Sequence, residues 1–398
     1  MTRFFKKNCK GENEMLLSVS RTLFSEHLQI AAKAVPSRAA FSILEGILLE
    51  KKDGMITVTA ANLELIISTS FPHDGTEQFK VVLPVKLAEI VRKMSGDFVH
   101  LSFDAETFVL TMESSSSEKG GSDSKIQLFG LDPQDFPTGP VPTPPLLSFC
   151  LQPTELRKSL QQVLFAVSHD ESKPAFTGVN FALKDEVMSI SASDTFRMAD
   201  TVCRVQRIFG GDARFLAPGR LMQECARLFG EEDGKAGTEA QELRFSLLEH
   251  RLLLESGGIK IISRLLEENF PEVERVMPVK FAGTAYLSKR DLASAIERAA
   301  LLSDKGSPVL RFSLGQDEAG DCLLIRNSSR FGKVQERVTA RLEGEGLEIY
   351  LNSKFLQEML RVCEGEEVIL KHTGPNRGCV FKDTLYEEFR YFLLPVKN

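Results

Sequence analysis

The sequence is poor in the residues and patterns that mark several protein classes. Its 398 residues include no tryptophan, four tyrosines and six scattered histidines. The seven cysteines form no CxxC pair and are Cys9, Cys150, Cys203, Cys225, Cys322, Cys363 and Cys379. Scattered thiols of odd number indicate reduced cysteines in a cytosolic protein. No His/Cys cluster has metal-ligand spacing, so the sequence predicts neither a metal nor another cofactor.

Targeting and membrane-spanning segments are also missing. The opening stretch, MTRFFKKNCKGENEMLLSVS, is basic but has no apolar core, which excludes a secretory signal. No apolar run is long enough to cross a bilayer, so the chain is predicted to be cytoplasmic and without membrane contact. Met15 begins the first strand-like run, and residues 1–14 are predicted to be an extension outside the fold. The choice between Met1 and Met15 as the natural start stays open.

Catalytic motifs are absent as well. The chain has no phosphate-binding loop of the usual spacing, no GxSxG and no HExxH. The best remaining enzyme candidate is the segment SASDTFRMAD, with Asp194, Arg197 and Asp200. An Asp–Arg pair can tune a carboxylate for acid–base chemistry, but no nucleophile or histidine lies in register with it. An enzyme that uses Asp194 and Arg197 is therefore the disfavoured alternative.

A repeat organises the chain. Three segments, LPVKLAEIVRKMSG, APGRLMQECARLFG and LNSKFLQEMLRVCEG, each have apolar residues at i, i+4 and i+7, which is one face of a helix. The apolar positions are Leu87, Val91 and Met94, then Leu221, Cys225 and Leu228, then Phe355, Met359 and Val362. The first member of each set lies 134 residues after the one before. This fixed period indicates three related units.

A second series of helices recurs at nearly the same spacing as the first. Their apolar residues are Phe24, Leu28, Ala31 and Val35, then Leu156, Leu160, Val163 and Val167, then Leu292, Ile296 and Ala299. Strand-like runs surround each helix, and Asp53-Gly54 marks a hairpin. We therefore predict an α+β fold of three similar domains, each made of two strand–helix–strands repeats. Joins at 135–145 and 269–283 give predicted domains at 15–140, 146–275 and 280–398.

A basic stripe accompanies the first helix series. The formal net charge is −6, which argues weakly against a nucleic-acid binder that relies on bulk charge. Two positions in each helix are nevertheless basic, and they are Lys86 and Lys93, Arg220 and Arg227, and Lys354 and Arg361. Because the two positions are seven residues apart, they stack on one helix face. Solvated helix faces often carry such residues, but three pairs in register favour a surface for a polyanion.

The repeat and its motifs resemble a known family. PSRAAFSILEGILLE, SASDTFRMAD, FPEVERVMP and the terminal YFLLPVKN, in this order and spacing, are similar to the bacterial DNA polymerase III beta subunits, the DNA sliding clamps. The resemblance covers residues 15–398. It implies a head-to-tail homodimer whose six domains form a closed ring around duplex DNA. It also implies a non-catalytic processivity factor that tethers the replicative polymerase by topology.

The resemblance implies several partners. They are a second copy of the chain, double-stranded DNA bound without sequence preference, the DNA polymerase III alpha subunit, the clamp loader, and other clamp-binding proteins that carry short peptide motifs. A related alternative is a paralogue with the same ring form that serves repair polymerases or a mobile element.

The family pattern assigns candidate residues to two of these contacts. The DNA-facing residues are Arg38, Lys86, Lys93, His169, Lys173, Arg220, Arg227, Lys354 and Arg361. The dimer-interface residues are Leu87, Ile126 and Leu128 in the first domain, and Leu301 and Leu302 in the third. The segment RNSSRFGKVQER in the third domain lacks the acidic run that the family has in this position, so the charges of the interface are expected to differ.

A groove between the second and third domains is implied for partner peptides. Its residues are Phe176, Ser193, Phe196, Arg197, Met198, Pro271, Val276, Phe355, Phe392, Leu394, Pro395 and Val396. Thr195 stands where the family usually has glycine, and Phe196 stands where it usually has histidine. The groove is therefore expected to be more apolar than its relatives and differently shaped.

Overall fold

The computed structural model describes residues 14–116, 124–139, 144–229, 242–303, 308–330 and 332–396. Residues 1–13 of the predicted extension and residues 140–143 of the first join lie outside this range. Glu14 already pairs with Asp104 in the first strand, so that strand begins one residue before Met15. Strands predominate over helices, and the three-domain α+β fold predicted from the repeat is confirmed.

Eight strands and two α-helices lie in the described part of the first third of the chain. In chain order they are β1 (Glu14–Ser20), α1 (Arg21–Ala32), β2 (Gly46–Lys52), β3 (Met55–Ala61), β4 (Leu65–Pro72), β5 (Phe79–Pro84), α2 (Lys86–Lys93), β6 (Phe98–Asp104), β7 (Val109–Ser115) and β8 (Ser124–Phe129). Asp53 and Gly54 connect β2 to β3 with φ angles of 49° and 74°. Both angles are positive, as the predicted two-residue hairpin requires.

The second third repeats this order with one additional short strand. Its elements are β9 (Leu147–Leu151), α3 (Pro153–Val163), β10 (Gly178–Lys184), β11 (Val187–Ser193), β12 (Arg197–Arg204), β13 (Gln206–Phe209), β14 (Ala213–Pro218), α4 (Gly219–Leu228), β15 (Leu243–Leu247), β16 (Arg251–Ser256) and β17 (Ile259–Arg264). Pro153 begins α3, where its fixed φ suits the first turn and its missing N–H costs no hydrogen bond.

The last third has the same order again. Its elements are α5 (Val273–Val276), β18 (Gly283–Ser288), α6 (Lys289–Ala300), β19 (Val309–Asp317), β20 (Gly320–Ser329), β21 (Gly332–Gly344), β22 (Leu347–Asn352), α7 (Ser353–Val362), β23 (Glu367–His372), β24 (Cys379–Asp383) and β25 (Arg390–Leu393). The side chain of Ser288 caps α6 by accepting a bond from the backbone N–H of Asp291 at 3.3 Å. Asn352 caps α7 by accepting from Lys354 at 3.0 Å. Such caps satisfy backbone donors that a helix leaves unpaired.

The chain forms two compact units. Of the described residues, the first unit contains those up to 146 together with 243–264, and the second contains the others. In the first unit, one sheet has the order β1-β6-β7-β8 and another has the order β15-β16-β17-β4-β3-β2-β5. In the second unit, a long sheet has the order β14-β10-β11-β12-β25-β24-β23-β18-β21-β20-β19-β22, and β13 pairs with β9.

Sheet edges join successive thirds of the chain within each unit. In the first unit β17 pairs antiparallel with β4, so that Ile262 lies opposite Ile66. In the second unit β25 pairs antiparallel with β12, so that Phe392 lies opposite Met198. In both joins the last strand of one third is bonded to the fourth strand of the preceding third. The internal repeat therefore extends to the way in which its copies are connected.

Helix burial confirms most of the predicted apolar faces. The following predicted residues are buried: Phe24, Leu28 and Ala31 in α1, Leu156, Leu160 and Val163 in α3, Leu292, Ile296 and Ala299 in α6, Leu87 and Val91 in α2, and Leu221 and Cys225 in α4. The prediction for α7 was wrong in part. Phe355 and Val362 are only half-buried, whereas Leu356 and Leu360 are buried beside Met359. The buried face of α7 is thus shifted by one residue, which frees Phe355 for another contact.

Two further expectations concern membranes and thiols. No α-helix within the described ranges is long and apolar enough to cross a bilayer. The six cysteines that the structure describes form no disulfide bond and all are buried, while Cys9 lies outside the described residues. Burial raises the pKa of Cys203 to about 11 and the pKa of Cys363 and Cys379 to about 12. These thiols stay protonated at neutral pH and are poor nucleophiles.

Candidate functional site

An apolar cluster lies at the join between β12 and β25. Its buried members are Met198, Leu216, Phe270, Val273, Met277, Val380 and Phe392, and the partly exposed Phe176, Leu266, Val276 and Phe281 pack against them. Four of these residues belong to the predicted partner groove. Sequence reasoning missed Phe270, although Phe270-Pro271 repeats Phe136-Pro137 at the period of 134 residues. This repeated dipeptide was the available signal.

The chain end continues from this cluster. The backbone N–H of Leu394 donates to the carbonyl oxygen of Phe196 at 3.0 Å, and that of Val396 donates to Tyr350 at 2.9 Å. The side chains of Leu394 and Val396 are nevertheless 39% and 38% exposed, and Pro395 is half-buried. Two backbone bonds therefore fix the chain end while its apolar side chains stay accessible.

The turn between β11 and β12 presents one aromatic side chain to solvent. A carboxylate oxygen of Asp194 accepts from the backbone N–H groups of Phe196 at 3.0 Å and Arg197 at 3.1 Å. Thr195 has a φ of 81°, a left-handed conformation that a β-branched residue rarely adopts. Phe196 is 60% exposed at the tip of this turn.

Arg197 is held beneath the turn by contacts from several elements. Its Nε donates to Asp194 at 2.9 Å, its Nη1 donates to Glu358 on α7 at 2.5 Å, and its Nη2 donates to the carbonyl oxygen of Phe165 at 2.6 Å. The ring centroid of Phe355 lies 4.1 Å from the guanidinium carbon. Burial disfavours the charged form, but Tyr391 and the two carboxylates outweigh it, so the pKa of Arg197 is raised. Together these contacts form an ion network that stabilises the fold at this position.

The predicted groove residues fall into three classes of exposure. Phe196, Leu394 and Val396 are exposed, whereas Phe176, Pro271, Val276, Phe355 and Pro395 are half-buried. Ser193, Arg197, Met198 and Phe392 are buried. The buried four have little surface for a ligand, and Ser193 donates its hydroxyl to the carbonyl oxygen of Arg197 at 2.7 Å. They support the surface that the other eight residues form.

The predicted DNA-facing residues are all accessible. The nine exposed side chains are Arg38, Lys86, Lys93, His169, Lys173, Arg220, Arg227, Lys354 and Arg361. Six of them lie on α2, α4 and α7 or directly beside these helices, at the positions that the repeat predicts. The helices therefore bury one face and expose basic side chains on another.

Two of these basic residues interact with acidic residues of their own helix. Lys93 lies 2.6 Å from Glu89, and Arg227 lies 2.8 Å from Glu224. Both cations are well exposed, so the contacts are weak and salt-sensitive. His169 and Lys173 lie in a loop before β10 that is closed by a bond from the N–H of Lys173 to the carbonyl oxygen of Asp170 at 3.1 Å.

The predicted interface residues differ in accessibility. Leu301 is 82% exposed at the end of α6, and Leu302, Ile126 and Leu128 are half-buried. Leu87 is fully buried in the core of the first unit. Because the Leu87 side chain offers no surface to a second chain, its apolar character is explained by packing under α2 alone.

Among the strand edges in the described ranges that have no partner strand, two matter for contacts with a second chain. β8 pairs with β7 only, and residues 332–339 of β21 pair with β20 only. The side chains of β8 alternate between half-buried and exposed along the whole strand. Unpaired edges carry backbone donors and acceptors that another strand can satisfy.

Asp200, the last acidic residue of the candidate enzyme segment, provides no accessible catalytic group. Asp200 is fully buried, and burial raises the pKa of its carboxyl, although the ion pair with Arg390 and a hydrogen bond from Ser189 act in the opposite direction. Across the described ranges, no three His, Cys, Asp or Glu side chains are grouped so that they could hold a metal ion.

Comparison with known domain families covers nearly the whole chain. The N-terminal, central and C-terminal domains of the DNA polymerase III beta subunit match residues 15–140, 150–272 and 274–397. This chain belongs to the DNA polymerase III beta subunit family. The resemblance seen in the sequence motifs is thereby confirmed.

Similar proteins agree with this family. The beta sliding clamp of Staphylococcus epidermidis is 27% identical over 396 residues, which cover 96% of this chain and 100% of that protein. The sliding clamp of Bacillus subtilis has a TM-score of 0.86 at 24% identity and covers 97% of this chain and 100% of its own. The beta subunit of Pseudomonas aeruginosa has a TM-score of 0.86 at 22% identity, with 96% and 100% covered.

Membership of the beta subunit family defines the general function. The chain is a sliding clamp that acts as a processivity factor. In the family this role is non-catalytic. The Arg197 network and the buried Asp200 agree with such a role, because their charged groups are bonded to other residues within the fold.

Proposed function

We propose that two copies of this chain close into a ring around duplex DNA and tether the replicative polymerase to its template. The observation that carries this proposal is the basic stripe on the repeated helices α2, α4 and α7. Exposed Lys86, Arg220 and Lys354 occupy equivalent positions in three copies of one helix. A surface of this kind, directed inward, attracts the phosphates of DNA, while an overall charge of −6 disfavours contact elsewhere.

Ring closure follows from the way that the repeats are joined. β17 is bonded to β4 and β25 is bonded to β12, each a last strand bonded to a fourth strand. The equivalent strands without such a partner are β8, the last strand of the first third, and the first part of β21, the fourth strand of the last third. We propose that β8 of one chain pairs with β21 of the other. This pairing would give partner strands to both edges. Each chain would then contribute three joins of the same kind: β17 with β4, β25 with β12, and β8 with β21 of the other chain.

Apolar contacts would support that closure more than ion pairs do. Leu301 is largely exposed and is available to meet Ile126 and Leu128 of the second copy. On the β21 side, Arg298 lies 2.6 Å from Glu336, and Arg337 lies 2.7 Å from Asp317. Since these charges already interact within one chain, they contribute little to pairing between chains.

The exposed part of the cluster at the β12–β25 join is the proposed groove for partner peptides. Phe196, Leu394 and Val396 provide accessible apolar surface, and Met198 and Phe392 form its support. A peptide that buries two or three apolar anchors gains ~1.5–3 kcal/mol for each before ordering costs. This gain suits exchangeable contacts with the DNA polymerase III alpha subunit, the clamp loader and other clamp-binding proteins.

Several further assignments complete the proposal. The domains are placed at 15–140, 146–275 and 280–398, and the family matches support similar boundaries. The protein is proposed to have no catalytic activity of its own, to require no cofactor and to act in the cytoplasm, where DNA replication takes place. Thr195 and Phe196 depart from the family pattern, so a paralogue that serves repair polymerases remains the second candidate.

Topology provides the decisive test. We would load the protein onto nicked circular DNA with a clamp loader and then linearise the circle. A ring that encircles DNA slides off the ends within the observation time, so bound protein should fall to the level seen with linear DNA from the start. Retention on the linear product would contradict the ring. Loading that supports only a repair polymerase would favour the paralogue.

Charge reversal tests the stripe itself. Exchanging Lys86, Arg220 and Lys354 together for Glu should reduce loading at least tenfold and should leave the dimer intact. A matched control exchanges three exposed lysines outside these helices, Lys52, Lys184 and Lys280, for Glu. Equal loss in both variants would show that net charge alone matters and that the stripe is an ordinary solvated face.

A further inference from the structure

A cavity opens in the first unit where β17 meets β4. Its volume is about 270 Å³, and its floor includes Leu44, Ile66 and Ile262. Leu44 is 3% exposed, and Ile66 and Ile262 are each 6% exposed, so the floor is apolar and well packed. The volume is close to the lower end of the ~300–1,000 Å³ typical of ligand sites, which suits one or two apolar side chains.

This cavity is the internal equivalent of the partner groove. Arg264 donates its backbone N–H to the carbonyl oxygen of Glu64 at 2.8 Å, just as Leu394 donates to Phe196 at 3.0 Å. A single bridge between Val82 and Leu131 has its counterpart between Leu216 and Leu266. Both joins therefore have the same backbone framework.

The side chains of the two sites differ in charge. At the position that corresponds to Leu394, the cavity has Arg264, which lines its rim together with Arg251. Arg251 and Arg264 lie directly opposite each other on β16 and β17. Like charges in such a pair repel each other, so an anionic ligand between them is favourable. Glu64 adds one carboxylate to the lining, and the net charge of the two arginines and this glutamate is still positive.

One backbone feature shapes the cavity wall. Gly139 has a φ of 102°, and a Cβ at this position would come within 2.9 Å of the Cδ1 atom of Ile262. Glycine therefore allows the chain to pass directly against the floor. The wall is thus formed by backbone, and the room above Ile262 is left for an incoming side chain.

We propose that this cavity is a second docking site, which binds a short partner peptide with apolar anchors flanked by acidic residues. The apolar side chains would enter above Ile66 and Ile262, and the carboxylates would lie between Arg251 and Arg264. The site goes beyond the proposed peptide groove because it selects for negative charge. It lies within one unit of one chain, so it does not depend on ring closure.

Binding can be measured with two labelled peptides. Fluorescein-labelled GDLDLFG and its basic counterpart GKLKLFG would be titrated by anisotropy against the full chain carrying Leu394→Ser and Val396→Ser, which removes two exposed anchors of the partner groove. In parallel, methyl NMR of isoleucine-labelled protein would follow Ile66 and Ile262. The acidic peptide should bind at least tenfold more tightly and should shift both methyl signals in a saturable way. Equal binding of the two peptides, or no shift at these methyls, would overturn the proposal.

Variants separate this cavity from the partner groove. Exchanging Arg251 or Arg264 for Glu should weaken the acidic peptide at least fivefold, whereas the exposed control Lys52→Glu should not. The methyl shifts of Ile66 and Ile262 report on the cavity alone, so they should saturate at the same peptide concentration in the unaltered chain and in the double variant Leu394→Ser/Val396→Ser. Loss of binding in that double variant would place the peptide in the partner groove and refute a second site. Failure of the ring test on circular DNA would leave these outcomes unaffected.

Discussion

The guanidinium carbon of Arg197 lies 4.1 Å from the ring centroid of Phe355. Arg197 belongs to the central family domain and Phe355 to the C-terminal one. The same guanidinium also bonds to Glu358 one turn further along α7. A single buried cation thus joins two domains beneath the proposed partner groove, so the shape of that groove depends on it.

Replacing Arg197 with Met should loosen this join. The exchange leaves Asp194 and Glu358 without their cation and removes the stacking contact with Phe355. Breaking a largely buried ion pair in this way costs about 3 kcal/mol. Hydrogen exchange of backbone amides in β12 and α7 is the measurement, and both segments should exchange faster.

A matched arginine provides the control. Arg341 stacks on the ring of Tyr286 at 3.6 Å and pairs with Glu343, but its side chain is 62% exposed. Solvent screens such pairs, so Arg341→Met should have little effect on exchange. Equal effects of the two exchanges on amide exchange would mean that the burial of Arg197 does not strengthen the join between the two domains.

Thr195→Gly should stabilise the protein. Thr195 has a φ of 81°, which is costly for a β-branched residue and free of strain for glycine. The greater freedom of glycine in the unfolded chain offsets part of the gain, so we expect about 1 kcal/mol. The control is Asn376→Gly, because Asn376 has a φ of 60° but belongs to a residue type that tolerates it. Urea unfolding gives the free energy of unfolding of both variants. A lower value for Thr195→Gly than for the unaltered protein would show that the backbone at Thr195 is not strained.

The sequence predicted the parts of the fold that depend on local patterns. Helix spacing identified the buried faces of α1, α3 and α6, and Asp53-Gly54 identified the first hairpin. Both features depend on residues close together in the chain, where periodicity and turn chemistry are decisive. The period of 134 residues then extended these local patterns to three domains.

Contacts between distant segments could not be predicted in the same way. Phe355 fits the apolar face of α7 by spacing, yet it lies against Arg197, 158 positions earlier in the sequence. Leu87 matched the interface pattern of the family, but it is buried beneath its own helix. In both cases the outcome depends on which neighbouring element covers the side chain, and one sequence contains no signal for that.

Polar substitution of the chain end should abolish partner binding and spare the fold. Leu394→Ser/Val396→Ser removes two exposed apolar anchors but keeps the backbone bonds to Phe196 and Tyr350. Each lost anchor is worth ~1.5 kcal/mol or more, so affinity for a polymerase III alpha-subunit peptide should fall at least tenfold. Deleting residues 394–398 should have the same effect and should also spare the dimer. Leu385→Ser, at a residue that is 59% exposed, is the control that should bind normally.

Substitutions at the proposed ring closure should affect assembly alone. Leu301→Ser/Ile126→Ser removes apolar surface that one chain offers to the other, and we expect the dimer dissociation constant to rise at least tenfold. The midpoint of thermal unfolding should change little for Leu301→Ser, since this side chain is 82% exposed in one chain. Sedimentation velocity over a concentration series is the measurement, with Val187→Ser as an exposed control. An unchanged dimer would exclude the pairing of β8 with β21.

Acid should destabilise the first unit through His27. Burial lowers the pKa of this imidazole below 6.5, and Glu26 opposes the effect only in part. The ring centroid lies 4.6 Å from that of Phe71 with the two planes tilted by 34°, and the Nδ1 of His27 lies 2.5 Å from the hydroxyl of Thr69. Because the unfolded chain takes up the proton at a higher pH than the folded chain, stability is full above pH 6.5 and falls as the pH drops below it. His27→Gln should flatten the dependence of the urea midpoint on pH between 7.5 and 5, whereas His250→Gln, at an exposed histidine, should retain it. An identical slope in His27→Gln and the unaltered protein would assign the acid sensitivity to other groups.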